Sequence, residues 1–113
     1  MFHSTHVFTG ETIYRRPAQS YTEFTGELNR LQTLQQTFAQ SSITERTALL
    51  QQFADSLSQN QERLAEMVCE EVGRCLHECR AEISKSIELI RYSVRLAPEL
   101  LAHKTIATQA SLS

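Results

Sequence analysis

Three cysteines and a histidine lie close together in the second half of the chain, and their types suggest chemistry. Cys69 is followed by Cys75, His77 and Cys79. On a helix Cys75 and Cys79 share a face, whereas His77 points about 200° away from both. Structural zinc needs four converging ligands, so the fourth would have to come from a distant residue such as His103. The competing interpretation is that Cys79 is a small apolar residue within a helix seam.

The residues around these cysteines give little evidence for a catalytic nucleophile or a catalytic acid–base pair. Cys75 follows Arg74 near the expected start of a helix, a place that favours a thiolate, but no base or oxyanion donor can be named beside it. Glu78 and Glu82 are spaced as on a solvated helix surface, where Arg74 and Glu78 are spaced to form an ion pair. Three scattered glycines form neither GxGxxG nor a Walker loop. The sequence therefore assigns no catalytic, cofactor-binding or metal-ligating residue.

Composition excludes several function classes. The 113 residues carry 11 Lys and Arg against 13 Asp and Glu, which leaves no basic surplus for binding nucleic acid. The first residues lack the basic and apolar regions of a signal peptide, and no apolar run is long enough to span a membrane. An odd number of cysteines without a secretion signal indicates reduced thiols. We therefore expect a cytoplasmic protein with no nucleic-acid or membrane partner.

The elements that must position these residues are mainly helices. With only 3 Gly and 2 Pro, the chain has few turn-formers and favours long elements. Residues 1–20 lack helical periodicity, and Gly10 between two β-rich stretches predicts an extended arm or a β-hairpin. The pattern over 21–102 predicts a helical segment, followed by a polar tail over 103–113. The four amphipathic helices are expected near residues 21–40, 43–58, 60–72 and 75–97.

Local signals support these helices. Ser20 with Glu23, and Ser42 with Glu45, have the form of capping boxes. Gly73 stands where a left-handed residue ends a helix. The first helix aligns five apolar residues on one face: Phe24, Leu28, Leu31, Leu34 and Phe38. The second and third carry Leu49, Leu50, Phe53, Ala54 and Leu57, then Leu64, Met67, Val68 and Val72.

The fourth helix has a seam with a mean step of about 3.5 residues, which is typical of coiled coils. The seam consists of Leu76, Cys79, Ile83, Ile87, Ile90, Val94 and Ala97. It is suited either to packing within the chain or to dimerisation. Pro98 either ends this helix or begins a short extra turn. Beyond it, 104–106 has the composition of a strand that would need a sheet to join.

The order of particular residues resembles the aldehyde dehydrogenase family. Residues 71–83, EVGRCLHECRAEI, are similar to the family stretch E-x-G-K-P-L-x-E-A-x-x-E-V. Arg74 stands in place of Lys, Cys75 of Pro and Cys79 of Ala. The segment 44–50, TERTALL, resembles the family's E-R-x-x-L-L helix, and Phe38 matches the aromatic residue that closes the helix before it.

Further stretches resemble the family at both ends of the chain. Residues 9–13, TGETI, are similar to the N-P-x-T-G-E-x-I segment, with His6 and Val7 in place of Asn and Pro. Residues 90–92 and 97–102 resemble the end of the long family helix. The stretch 106–111 is reminiscent of the succinate-semialdehyde dehydrogenase branch.

The resemblance implies an enzyme that oxidises an aldehyde to a carboxylic acid. A cysteine thiolate attacks the carbonyl, hydride passes to NAD or NADP, and water releases the acid. None of the three cysteines has the family's G-Q-x-C context. We therefore expect a truncated N-terminal segment of the α/β dehydrogenase fold that binds no cofactor and is inactive alone. Its partners would be a second copy or the missing remainder. The alternatives are a stand-alone helical interaction protein and a metal- or redox-responsive module.

Overall fold

The computed structural model describes residues 1–106, and within them the chain forms a two-stranded antiparallel sheet and four helices. The elements, in chain order, are β1 Phe2–Thr5, β2 Thr12–Arg16, α1 Tyr21–Ala39, α2 Ile43–Gln59, α3 Gln61–Val72 and α4 Leu76–Leu100. The expectation of a mainly helical chain with a short N-terminal β arm is confirmed. The arm is a hairpin.

The hairpin turn is held by its own side chains and docks on α3. Gly10 adopts a φ of 74°, which a residue with a Cβ rarely tolerates. The His6 ring Nδ1 accepts hydrogen bonds from the backbone N–H groups of Phe8 at 3.2 Å and Thr9 at 3.4 Å. The Val7 N–H donates to the carbonyl of Glu70 at 2.9 Å. Because two strands alone are marginally stable, this contact with α3 gives the arm its support.

Helix starts and stops follow the local signals. The Ser42 hydroxyl accepts from the Glu45 N–H at 3.1 Å, and the Glu45 carboxylate accepts from the Ser42 N–H at 2.7 Å. Ser20 and Glu23 form the same reciprocal pair at the start of α1. Gly73 ends α3 in the left-handed conformation with a φ of 79°. Both predicted capping boxes and the predicted glycine cap are confirmed.

Helix α4 lies at the centre of the packed part of the molecule. It packs along α2 and α3, and every residue of its predicted seam is buried or half-buried. The seam is therefore used within the chain, which decides between the two roles that its spacing allowed. The core residues that the structure buries most deeply are Ala54, Ala65, Cys79 and Ile87.

The packed sides of α2 and α3 use only part of the apolar faces that periodicity predicts. On α2 Ala54 is buried, whereas Leu49 and Phe53 remain more than half exposed. On α3 Ala65 is buried, whereas Val72 is exposed. The small side chains of Ala54 and Ala65 thus lie deepest, while Leu57, Leu64 and Val68 are half-buried.

Helix α4 also continues through Pro98 instead of ending near residue 97. A proline removes one backbone hydrogen bond, but the Leu101 N–H still donates to the carbonyl of Ala97 at 2.9 Å. Residues 103–106 form no strand. The rest of the predicted tail, residues 107–113, lies outside the described part of the chain.

Helix α1 stands apart from the other elements. Within residues 1–106 it packs against neither the hairpin nor any other helix. The molecule measures 70 × 40 × 23 Å and its radius of gyration is 20.8 Å, compared with about 13 Å for a compact domain of this length. The 19 residues of this helix thus remain largely exposed to solvent.

Candidate functional site

The cysteine cluster does not converge on one point. Cys75 precedes the first turn of α4 in an extended conformation, with a ψ of 137°, so it does not share a helical face with Cys79. Cys75 and His77 are exposed, Cys69 is half-buried and Cys79 is fully buried. Among residues 1–106 no three His, Cys, Asp or Glu side chains come close enough together to hold a metal ion.

Cys79 belongs to the core between helices. Its Sγ lies 4.0 Å from the carbonyl oxygen of Arg74. Burial raises the pKa of the Cys79 thiol, and the neighbouring Cys69 raises it further. A nucleophilic cysteine needs the opposite, a lowered pKa and an approach for substrate. Cys79 therefore acts as a small apolar residue of the α4 seam, as one of the two sequence interpretations proposed.

Arg74 pairs with Glu82, and the predicted pair with Glu78 is wrong. The i,i+4 rule applies to two residues of one helix, but Arg74 lies before α4 begins at Leu76. From that position its long side chain reaches one turn beyond Glu78. Both partners remain half-exposed, so this pair tethers the α3–α4 connection and forms no charged pocket.

Two further ion pairs fasten the helices to one another. Arg80 of α4 holds the carboxylate of Glu62 on α3, and this hydrogen bonding lowers the pKa of Glu62. Arg91 of α4 donates to Asp55 of α2 at 3.1 Å. All four side chains are about half exposed. Arg80 and Arg91 of α4 thus link this helix to α3 and α2.

The three glycines do not form a loop that could bind the phosphates of a dinucleotide. A phosphate-binding loop needs closely spaced glycines that lead into a helix N-terminus. Here Gly10 lies in the hairpin turn, Gly26 in the interior of α1, and Gly73 at the C-terminal end of α3. The only sheet within residues 1–106 is the two-stranded hairpin, which has no parallel strand to carry such a loop.

An apolar groove lies on the surface that the described residues form. It has a volume of about 290 Å³ and lies between Phe38 near the end of α1, the start of α2 and the end of α4. Its lining residues are Phe38, Ile43, Arg46, Thr47, Leu49, Leu50, Ala97 and Leu101. The Nε of Arg46 is buried there and has no hydrogen-bond partner among the described residues. The groove thus combines apolar walls with one buried N–H donor.

The apolar face of α1 is the second unpartnered surface. Its five large side chains, from Phe24 to Phe38, are each 43–52% exposed. Shallow depressions flank Leu31 on both sides, one bordered by Leu28 and the other by Leu34. The sequence predicts this face. The groove at Arg46 was missed, because it needs the end of α4, which is distant in sequence, to lie beside the α1–α2 connection.

No helix within residues 1–106 combines the length and the apolar character that crossing a bilayer requires.

The described chain thus has two main features. It is a layer of helices that carries a β-hairpin, and it has exposed apolar surfaces on α1 and at the groove. Comparison with known proteins identifies the layer. The model of the aldehyde dehydrogenase family matches residues 1–112. The chain belongs to the aldehyde dehydrogenase family.

Individual relatives agree with this assignment. The chain is 26% identical over 105 residues to a succinate-semialdehyde dehydrogenase [NADP(+)] of Deinococcus radiodurans, covering 93% of this chain and 22% of the relative. It is 30% identical over 105 residues to a probable enzyme of the same name from Synechocystis, covering 93% and 23%. The chain thus spans about a fifth of the length of these relatives.

A solved structure shares the fold. The glyceraldehyde-3-phosphate dehydrogenase of Methanocaldococcus jannaschii, crystallised with NADP, superposes with a TM-score of 0.77 at 21% identity. The match covers 85% of this chain and 21% of that structure. The likeness lies in the N-terminal part of that dehydrogenase, which agrees with the expected placement of this chain within the family fold.

Proposed function

We propose that this chain supplies the N-terminal helical part of an NADP-dependent aldehyde dehydrogenase and that, on its own, it does not oxidise aldehydes. The observation that carries the proposal is the extent of the family match. It takes in residues 1–112, yet the chain spans only about a fifth of the relatives' length.

The side chains support inactivity of the isolated chain. Aldehyde oxidation of this type needs a thiolate, an oxyanion site and a bound nicotinamide close together. Cys79 is buried with a raised pKa, and no described base stands beside Cys75. The scattered glycines offer no cradle for the phosphates of NADP. The cofactor would bind to the remainder of the enzyme.

The substrate proposed for the whole enzyme is succinate semialdehyde. Two relatives that each cover 93% of this chain carry that substrate and NADP in their names. Nothing on α1–α4 selects a substrate, so the helices contribute scaffold and not specificity. The cytoplasm is the proposed compartment, because the odd number of thiols suits a reducing environment.

The groove at Arg46 gives the scaffold a contact with the rest of the enzyme. Its walls are apolar, and its one buried unpaired donor is the Arg46 Nε. Leaving such a donor without a partner costs about 1–3 kcal/mol. We propose that an apolar segment of the remaining dehydrogenase, with a carbonyl or carboxylate oxygen directed at Arg46, fills the groove.

A chimera tests the proposal. The matched 105-residue segment of the Deinococcus radiodurans enzyme is replaced by the corresponding residues of this chain. We expect a folded chimera that reduces NADP in the presence of succinate semialdehyde, and no reduction by the 113-residue chain alone. Activity of the isolated chain, or an inactive chimera beside an active parent enzyme, would contradict the proposal.

A matched pair of variants tests the groove in the same chimera. Leu49 lines the groove, whereas Gln52 is exposed on α2 and does not line it. Leu49→Asp is expected to reduce the yield of folded, active chimera at least tenfold, because it places a carboxylate among apolar walls. Gln52→Asp adds the same charge to the same helix and is expected to leave the yield unchanged.

A further inference from the structure

The turn of the N-terminal hairpin is closed by a histidine side chain. The Nδ1 atom of His6 accepts hydrogen bonds from the backbone N–H groups of Phe8 at 3.2 Å and Thr9 at 3.4 Å. The His6 ring also meets the Phe8 ring edge-on, with 5.9 Å between the two ring centroids. His6 occupies the position that Asn has in the N-P-x-T-G-E-x-I segment. An imidazole can gain a proton close to neutral pH, whereas an amide side chain cannot.

The same turn carries the contact between the arm and α3. Val7, which lies between His6 and Phe8, donates its N–H to the carbonyl of Glu70 at 2.9 Å, and its side chain lies directly against Gly73. Within residues 1–106 each strand of the hairpin pairs only with the other, and two strands alone are marginally stable. A change that opens the turn at His6 is therefore expected to weaken the docking of the arm on α3 as well.

We propose that His6 makes the docking of the N-terminal arm on α3 sensitive to acid. A neutral imidazole has one nitrogen that accepts and one that donates, so acceptance at Nδ1 requires the hydrogen to be on Nε2. A protonated ring has a hydrogen on both nitrogens, and its Nδ1–H would face the N–H groups of Phe8 and Thr9. The neutral ring thus closes the turn, and protonation opens it. The proposal goes beyond the dehydrogenase assignment, because it concerns how the arm of this chain responds to pH.

Within residues 1–106 no ion pair joins the His6 ring to a carboxylate. On the hairpin, Glu11 accepts from the His6 N–H through its backbone carbonyl at 2.8 Å, and its carboxylate lies 3.5 Å from the Thr9 hydroxyl. On α3, Glu70 contacts the turn through its carbonyl, and Glu71 follows it in the sequence. A carboxylate paired with the ring would favour the protonated form. Without such a pair, protonation removes two hydrogen bonds and gains no partner already in place.

The direction and the size of the effect follow from these two hydrogen bonds. Both are present above the pH range in which imidazoles ordinarily gain a proton, and both are lost below it, so docking weakens as the pH falls. One hydrogen bond shifts an equilibrium by roughly twofold to tenfold. With two bonds lost, we expect the ratio of docked to undocked arm to fall about tenfold between about pH 8 and about pH 5.

Nuclear magnetic resonance of the 113-residue chain tests the proposal. The ring nitrogen chemical shifts of His6 report which nitrogen carries the hydrogen, and we expect Nε2 at about pH 8. The nuclear Overhauser effect between the Val7 methyl groups and the α protons of Gly73 reports docking. We expect its intensity to fall about twofold or more by about pH 5. The contacts of Ile87, which is buried in α4, are expected to stay constant over the same range.

Matched variants separate His6 from the other titrating groups. His6→Asn keeps an acceptor oxygen that does not titrate, so the arm should stay docked at both pH values. His6→Ala removes the acceptor and should weaken docking at both. His3→Asn is the control, because His3 lies on β1 opposite Arg15 and takes no part in the turn. This variant should keep the pH response of the wild-type chain.

Three results would overturn the proposal: a hydrogen on Nδ1 of His6 at about pH 8, the same pH dependence of docking in the wild-type chain and in His6→Asn, or a pH response that disappears in His3→Asn. None of these measurements uses catalysis or the rest of the enzyme. Their failure and the failure of the chimera are therefore distinguishable.

Discussion

Gly73 lies directly against Val7, and this contact joins the hairpin to the helices. A Cβ built on Gly73 would stand 2.8 Å from Cγ1 of Val7, closer than two carbon atoms tolerate. The backbone φ of 79° is also one that side chains with a Cβ disfavour. The same glycine thus ends α3 and makes room for the arm.

Gly73→Ala is expected to destabilise the protein by about 1–3 kcal/mol, because it combines a strained backbone with a collision against Val7. Urea unfolding followed by circular dichroism measures the effect. Gly26→Ala is the matched control, since Gly26 lies inside α1 with open space around it. That change should raise helix content slightly, and equal losses for both variants would argue against the role given to Gly73.

Ile87→Ala is expected to cost about 2–5 kcal/mol of stability, because it leaves a cavity in the α4 seam. Ile87 is 3% exposed, whereas Leu89, two residues along the same helix, is 63% exposed. Leu89→Ala should therefore change the free energy of unfolding by less than about 0.5 kcal/mol. Thermal unfolding of the two variants compares them, and a similar loss for both would refute the packing described for α4.

The three thiols should react with iodoacetamide in the order of their exposure. Cys75 is exposed, Cys69 half-buried and Cys79 buried with a raised pKa, which reduces its thiolate fraction. Peptide mass spectrometry after timed labelling at mild alkaline pH gives the three rates. In concentrated urea the rates should become similar. Rapid labelling of Cys79 in the native protein would contradict its place in the core.

Acid should weaken the fold partly through Glu45. The Ser42 backbone N–H, and then its hydroxyl, hold the pKa of Glu45 below its ordinary value. A group with a lowered folded pKa stabilises the protein above its unfolded pKa, and this contribution is lost as the pH falls through the folded pKa. Glu45→Gln removes the titration while keeping an acceptor oxygen.

The pH dependence of urea unfolding, measured from neutral pH into the acid range, provides the test. The difference in stability between the wild-type protein and Glu45→Gln should shrink as the pH falls below the ordinary pKa of glutamate. A difference that does not vary with pH would show that the capping carboxylate does not contribute in this way.

Local sequence signals predicted the boundaries that depend on neighbouring residues. Ser42 and Glu45 specify a helix start because each satisfies the backbone N–H of the other, and Gly73 specifies a helix end because it tolerates a positive φ. The prediction of an Arg74–Glu78 ion pair was wrong because of where α4 begins. The helical spacing rule was applied across the boundary of α4, where it does not hold.

The sequence by itself determined the helices and their capped ends, because these depend on contacts between residues close along the chain, and the order of its motifs indicated the family. It left open whether the N-terminal arm is extended or a hairpin. Only the tertiary structure decided that α4 uses its seam internally, that α1 stands uncovered, and that Arg46 lies buried in a groove. These features depend on how distant elements meet. Periodicity shows which face of each helix is apolar, but several arrangements of helices can bury such a face. In the arrangement that forms, the small residues Ala54 and Ala65 are the ones buried on α2 and α3.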